Sequence, residues 1–182
     1  METIVHRVIA RLLKESNRSR EIHVFDFDDT LVRTNSRIRV KSSGGDFFLS
    51  PQEYAKYKRR PGDVFDYSDF EQVIEPELIP STFLKLKAAI DSNGNDNVFI
   101  LTARGNPVPV KEFLSSVGVD GIRIFATGTS DPQAKARIIE DEVNSRRIKR
   151  VYFYDDAAKN IEAVKNLRRR LPDVEIVTTR MK

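Results

Sequence analysis

The chain has 182 residues, of which 40% are hydrophobic and 32% are charged. This length and composition suit one globular domain with a moderate core and room for an insertion. The absence of cysteine excludes disulfides and thiolate metal sites, and two histidines argue against a histidine-rich metal site. No apolar run approaches the roughly 20 residues of a membrane span, so we expect a cytoplasmic protein without a membrane partner.

The net charge of +4 permits attraction to phosphate-bearing partners. Two basic clusters, at 146–150 and 168–170, lie beside acidic residues and at predicted helix ends, where cations also stabilise the helix dipole. We interpret both clusters as solvated surface.

The first segment, residues 1–19, is basic and has apolar residues at helical spacing, among them Ile4, Val8 and Leu12. This pattern predicts an N-terminal amphipathic helix that packs on the domain or on a partner chain, which would make a homo-oligomer. Residues 20–182 are predicted to form the main domain.

The domain alternates strands and helices, which indicates βαβ units and a doubly wound, mostly parallel sheet of the α/β class. The predicted elements are, in chain order, a strand at 22–27, a helix at 81–91 capped by Ser81, a strand at 97–102, a helix at 108–117 closed by Gly118, a strand at 122–126, a helix at 132–146 capped by Asp131, a strand at 150–154, a helix at 157–171 and a strand at 174–178.

A polar and irregular insertion, about residues 33–80, interrupts the first crossover. It is predicted to contain a hairpin turning at Gly44 and Gly45, then a short helix with Ser50 as cap and Glu53 completing a capping box. Arg37, Arg39 and Lys41 alternate along the hairpin and would share one face. Because the insertion directly follows an acidic turn, we expect it to lie over that turn as a flap or small cap.

Polar side chains follow the predicted strands, at the edge of an α/β sheet where ligands bind. They are Asp26, Asp28, Asp29 and Thr30 after the first strand, Thr102 and Arg104 at the end of "FILTAR", and Asp155, Asp156 and Asn160 after "RVYFY". Five carboxylates at one edge would repel each other unless a hard cation lay among them. Mg²⁺ accepts oxygen ligands and is the predicted cofactor.

These segments resemble the motifs of the haloacid dehalogenase superfamily. "DFDDT" matches its DxDx[TV] motif, "FILTA" its second motif, Lys135 in "DPQAKARII" the third, and "YFYDDAAKN" the acidic pair of the fourth. The order and spacing agree over about residues 21–171. The whole pattern is also similar to small phosphatase-like proteins encoded by bacteriophages, which would place the chain in the host cytoplasm.

The resemblance implies a Rossmann-like fold and a Mg²⁺-dependent phosphatase reaction with a role for each motif residue. Asp26 would attack phosphorus and form an aspartyl-phosphate, and Asp28 would protonate the leaving oxygen and then activate water. Thr102, Ala103 and Arg104 would contact the phosphoryl group or the substrate, and Lys135 would neutralise the nucleophile and bind substrate. Mg²⁺ would be held by Asp26, Asp28 through its backbone carbonyl, Asp155 and Asp156.

Five alternatives stay open at the sequence level. Lys111 and Lys159 also lie near helix starts, although Lys135 follows the expected strand. Arg104 is either a surface ion-pair partner or a substrate contact, and Asn160 either orients Asp155 or caps a turn. The substrate is a small phosphate ester, such as a nucleotide, or a nucleic acid end. A non-catalytic binding protein or an assembly subunit with the same fold remains the alternative function.

Overall fold

The computed structural model describes residues 20–54 and 56–181. The predicted helix at residues 1–19, and the oligomer contact expected of it, lie outside the described residues. Among the helices of the described residues, none has both the length and the apolar character needed to cross a membrane.

The centre of the molecule is a five-stranded parallel sheet, which confirms the predicted α/β class. Its strands are β1 (Glu21–Phe25), β7 (Val98–Thr102), β8 (Arg123–Ala126), β9 (Arg150–Asp155) and β10 (Glu175–Arg180), in the spatial order β10-β9-β1-β7-β8. The chain passes from β1 to β7 and β8 on one side, then crosses to β9 and β10 on the other. The order therefore reverses at β1, and such a switch point creates a crevice beyond the carboxyl ends of the strands.

Helices cover both faces of this sheet and bury two apolar clusters. On one face lie α2 (Pro80–Asn93) and α3 (Val108–Ser116), and on the other α4 (Pro132–Arg146) and α5 (Ala158–Lys165). β7 is buried at all five positions, as expected for a central strand covered on both faces.

Two details of the predicted helices need correction. Ser81 does not cap α2, because Pro80 occupies its first turn and Ile79 is the N-cap residue, without a side-chain hydrogen bond. The last predicted helix is shorter than residues 157–171, since α5 ends at Lys165 and continues as a 3-10 turn at Asn166–Arg169. The predicted cap of α4 is confirmed: the Asp131 side chain accepts a hydrogen bond from the Gln133 N–H.

The insertion forms two small antiparallel sheets. β2 (Val32–Arg33) pairs with β6 (Glu77–Leu78), and β3 (Ile38–Ser42) pairs with both β4 (Gly45–Leu49) and β5 (Val64–Asp66). The predicted hairpin is therefore confirmed, whereas the third strand, β5, was not anticipated because it is only three residues long and lacks a clear period.

A short helix, α1 (Pro51–Tyr54), follows the hairpin and has the predicted capping box. The Glu53 carboxylate accepts from the Ser50 N–H at 2.7 Å, and the Ser50 hydroxyl oxygen accepts from the Glu53 N–H at 3.2 Å. A 3-10 turn at Ser68–Glu71 comes after β5.

Arg37, Arg39 and Lys41 are exposed while Ile38 and Val40 between them are buried, so the predicted shared face exists. Part of its charge is balanced, however. Arg39 pairs with Asp46 at 2.6 Å across the hairpin.

Candidate active site

The turn that follows β1 is held by its own backbone. The Phe27 carbonyl accepts from the N–H groups of Leu31 and Val32 at 2.9 and 3.1 Å, and the Asp29 N–H donates to the Val32 carbonyl at 2.8 Å. Asp29 has a φ of 58°, a left-handed conformation that Asp tolerates better than most residues. This compact turn keeps Asp26 and Asp28 at the carboxyl edge of the sheet.

Three carboxylates meet at the switch point. One oxygen from each of Asp26, Asp155 and Asp156 lies within 4.8 Å of the others, so these residues could hold a metal ion. Lys135 on α4 joins them: its Nζ lies 2.7 Å from Asp26 Oδ1 and 2.8 Å from Asp155 Oδ2. Asp26, Asp155 and Lys135 are all buried. Residues from β1, β9 and α4 therefore form one charged cluster.

The charges in this cluster do not balance. Burial raises the pKa of Asp26 well above its ordinary value; Lys135 opposes this shift and Asp155 adds to it. Burial and Asp155 raise the pKa of Asp156 from 3.8 to about 6. Burial lowers the pKa of Lys135, but the attraction of Asp26 and Asp155 outweighs it and leaves that pKa raised. Three carboxylates facing one ammonium suit an added divalent cation, and oxygen donors are those Mg²⁺ prefers.

Further hydrogen bonds orient the two aspartates at the end of β9. The Asn160 side-chain amide donates to both Asp155 oxygens at 3.0 Å, which decides between the two predicted roles of Asn160 in favour of orienting Asp155. Thr30, which is fully buried, accepts from the Asp156 N–H at 3.0 Å. The turn after β1 and the turn after β9 are thereby fixed to each other.

Arg104 does not lie on the surface. It is 3% exposed and pairs with Asp28 through two bonds, Nε to Oδ2 at 2.9 Å and Nη2 to Oδ1 at 2.7 Å. Its Nη1 donates to the carbonyls of Phe70 and Gln72 in the insertion, at 3.0 and 2.6 Å. The guanidinium also lies over the Phe70 ring. Arg104 therefore connects Asp28 to the insertion, and the predicted substrate contact at Arg104 competes with bonds that its guanidinium already makes.

Thr102 ends β7, the strand beside β1, and is fully buried. Its hydroxyl oxygen accepts from the Arg104 N–H at 3.2 Å. Ala103 lies between these two residues and is exposed. The Thr102 carbonyl accepts from the Thr127 N–H at 2.9 Å, which attaches the loop after β8 to the same edge.

The structure separates the three candidate lysines. Lys135 is in the carboxylate cluster, whereas the Lys159 ammonium donates to the Ser130 carbonyl at 3.2 Å. Lys111 lies exposed on α3, on the opposite face of the sheet from α4.

One contact escaped the sequence analysis. The Gln52 side chain in α1 donates to the Asp29 carboxylate, so the insertion touches the acidic turn directly. Nothing in the sequence around Gln52 signals this, because the contact depends on how the insertion folds back. Asp28 also differs from the other aspartates, since its side chain faces Arg104 and lies outside the three-carboxylate cluster.

No family model and no curated protein matches this sequence. The structure is similar to a chain of the solved Pnkp1/Rnl/Hen1 complex, with a TM-score of 0.52 and 17% sequence identity. The match covers 91% of this chain and 48% of that chain, so this chain spans about half the length of its structural neighbour. At this identity the likeness shows the fold alone: an α/β fold with a parallel sheet between helices.

Proposed function

We propose that the protein is a Mg²⁺-dependent phosphomonoester hydrolase of the haloacid dehalogenase type, acting through an aspartyl-phosphate on Asp26. The observation that carries this proposal is the position of Lys135, whose ammonium bridges Asp26 and Asp155 at 2.7 and 2.8 Å. Groups from three motifs that are far apart in sequence converge there on one buried point. The likeness to a chain of the Pnkp1/Rnl/Hen1 complex supports the fold that such a site requires.

In the first half of the reaction a carboxylate oxygen of Asp26 attacks phosphorus, and the bond from phosphorus to the leaving oxygen breaks. Asp28 gives that oxygen a proton. In the second half Asp28 takes a proton from water, the water oxygen attacks phosphorus, and inorganic phosphate leaves Asp26. Lys135 neutralises the nucleophile and then the acyl phosphate, and Thr102 with the Ala103 N–H holds phosphoryl oxygens.

Asp26, the Asp28 backbone carbonyl, Asp155 and Asp156 would hold the Mg²⁺. The ion supplies positive charge for the phosphoryl oxygens. Arg104 has a positioning role in this proposal, because its paired bonds fix the Asp28 carboxylate relative to the insertion. The hydrolase domain comprises residues 20–182, with residues 33–80 as a flap beside the site.

The test is a phosphate-release screen with Mg²⁺ on an aryl phosphate, nucleotides, sugar phosphates and oligonucleotides phosphorylated at either end. We expect Mg²⁺-dependent turnover that Asp26→Asn lowers by about 10³-fold or more, since loss of a nucleophile removes the chemical step. Asp91→Asn, on the exposed end of α2, is the matched control and should keep full activity.

Equal activity in Asp26→Asn would show that Asp26 is not the nucleophile. Inactivity on every substrate, without stabilisation by Mg²⁺, would contradict the enzyme and leave a binding protein that has this fold.

A further inference from the structure

The insertion contains one run of basic residues that form no ion pair with a carboxylate of the described residues. Residues 56–60, "KYKRR", include four cations, and all four are exposed. The insertion as a whole carries eight basic and eight acidic residues, so this excess is local. Arg39, Arg123 and Arg150 are paired with carboxylates at 2.6–2.7 Å. Within residues 20–54 and 56–181, by contrast, no carboxylate forms an ion pair with any of the four cations in the run.

Aromatic rings lie directly beside this run. The Arg59 guanidinium lies over the rings of Tyr54 and Phe65, 5.4 and 4.9 Å from their centroids. Tyr67 contacts both rings, with centroid distances of 5.9 Å to Tyr54 and 6.5 Å to Phe65. Tyr67 remains 44% exposed. An accessible ring beside unpaired cations offers both a stacking surface and positive charge.

The same segment is attached to the candidate active site. Gln52, which donates to Asp29 in the acidic turn, and Tyr54 belong to the same single turn of helix α1. Residues two positions apart on a helix point to nearly opposite sides, so the Tyr54 ring lies across α1 from Asp29, about the 10–12 Å width of a helix with its side chains. A chain-like substrate with its phosphate among the aspartates would extend over the insertion.

We propose that the surface formed by Tyr54, Lys56, Lys58, Arg59, Arg60 and Tyr67 binds single-stranded nucleic acid, and that the substrate is a phosphorylated strand end. The cations contact backbone phosphates upstream of the scissile group, and the exposed tyrosine stacks on a base. This inference rests on the proposed function, because the phosphate at the strand end is the group that Asp26 would attack. It adds a binding site and a substrate class that the catalytic residues alone do not specify.

Two observations favour nucleic acid over a phosphorylated protein. A phosphopeptide would be recognised by the cations alone, whereas here rings and cations are interleaved, and base stacking uses both. Asp63 accepts from the Arg60 main-chain N–H at 2.8 Å, and its carboxylate also attracts the Arg60 guanidinium and offsets part of that charge. The positive charge without a described carboxylate partner is therefore concentrated on Lys56, Lys58 and Arg59, and the Arg59 guanidinium also donates to the Tyr54 hydroxyl.

The first experiment measures binding by fluorescence anisotropy, on the full chain in chelator so that no turnover occurs. The probe is a labelled single strand of roughly 8 nucleotides with a terminal phosphate, within the span of about 4–16 nucleotides that one single-strand-binding domain covers. Lys56→Ala/Lys58→Ala should weaken binding and reduce the slope of log affinity against log salt by about 1.4, about 0.7 for each lost phosphate contact. Lys85→Ala/Lys87→Ala, two exposed lysines on α2, should leave the slope unchanged.

Equal slopes for the two double variants would overturn the proposal. So would a phosphopeptide of the same charge that competes as well as the strand, since stacking would then contribute nothing.

The second experiment separates stacking from charge. Tyr67→Leu should weaken strand binding about fivefold or more, the lower end of the effect of one stacked base, and Tyr67→Phe should restore it because the ring returns. Phe48→Leu is the matched control, since Phe48 is 55% exposed on the opposite face of the insertion sheet. An equal loss in Phe48→Leu, or no loss in Tyr67→Leu, would remove the stacking site.

Turnover then tells the two proposals apart. With Mg²⁺, Lys56→Ala/Lys58→Ala should lower kcat/KM for the phosphorylated strand and leave aryl phosphate hydrolysis unchanged. Aryl phosphate hydrolysis without any effect of the double variant on the strand would overturn the binding surface and keep the hydrolase. Specific strand binding in a chain that hydrolyses nothing would keep the surface and overturn the hydrolase.

Discussion

Lysines in two regions of this protein have opposite environments. Lys135 is buried and its ammonium lies within 2.8 Å of two carboxylates, whereas Lys56 and Lys58 are exposed and form no ion pair in the part of the chain that the structure describes. A buried ammonium that balances carboxylates is part of the fold's own charge balance. An exposed and unpaired one contributes little to stability and stays available to a partner. The same residue type therefore balances buried charge at the sheet edge and lies exposed without a described ion-pair partner on the insertion.

Lys135→Met should give the largest effect on stability and sharpens this contrast most. It leaves buried carboxylates without their cation, so we expect the free energy of unfolding to fall by about 3–5 kcal/mol. Urea denaturation with and without Mg²⁺ measures this, and Mg²⁺ should restore part of the loss. Lys159→Met is the control, because the Lys159 ammonium contacts only a carbonyl outside the cluster. A similar loss in both variants would mean that Lys135 has no special place in the charge balance.

Arg104→Lys tests the connection between the two regions. Lysine keeps the charge but cannot reproduce the two bonds to Asp28 together with those to Phe70 and Gln72. We expect kcat to fall by about 10²-fold, the lower end of the contribution of a general acid or base, because Asp28 remains and loses only its fixed orientation. Hydrogen exchange at the 3-10 turn of the insertion should also increase.

The matched control is Arg123→Lys, because Arg123 forms an equally paired contact with Glu142 at 2.7 Å on both branches, far from Asp28. Unchanged kcat in Arg104→Lys would show that Asp28 does not need this arginine.

The stability of the metal-free protein should depend on pH because the carboxylate cluster has excess negative charge. The pKa of Asp156 rises to about 6 on folding, so the folded state binds a proton more tightly than the unfolded state does. Its contribution to the free energy of unfolding therefore falls as the pH rises from about 4 to about 6. Melting temperatures of the wild type and Asp156→Asn in chelator measure it. As the pH rises from about 4 to about 6, the melting temperature of the variant should rise relative to that of the wild type. Above pH 6, Mg²⁺ should raise the melting temperature of the wild type above that of the variant. A difference in melting temperature that does not change with pH would contradict the raised pKa of Asp156.

The smallest expected effect concerns the stability of the insertion's basic run. Lys56→Ala and Lys58→Ala should each change the free energy of unfolding by less than about 0.5 kcal/mol, because neither cation forms an ion pair within residues 20–54 and 56–181. Urea denaturation, the method used for Lys135→Met, gives a direct comparison. A loss above about 1 kcal/mol would show that these lysines stabilise the fold and would remove the contrast.

The sequence predicted the α/β class and the strands that bring the acidic residues together. The reason is local: Asp26 and Asp155 come directly after apolar strands, and the carboxyl ends of parallel strands meet at one edge of a sheet. The Asp131 cap and the Ser50–Glu53 capping box were also predictable, because both depend on residues within one helical turn. β5 and the cap of α2 were not, since a three-residue strand has no period and Pro80 overrides Ser81 at the helix start.

Only the tertiary structure decided how distant residues are paired. The sheet order places β9 beside β1 and so brings Lys135 to Asp26, 109 positions away in sequence. The pairing of Arg104 with Asp28 spans 76 positions, and the same guanidinium bonds to Phe70 and Gln72 of the insertion. Local patterns report the neighbours of a residue within a turn or a strand, whereas these contacts depend on how whole elements pack. The sequence by itself determined which groups gather at the sheet edge, and packing determined which of them face each other.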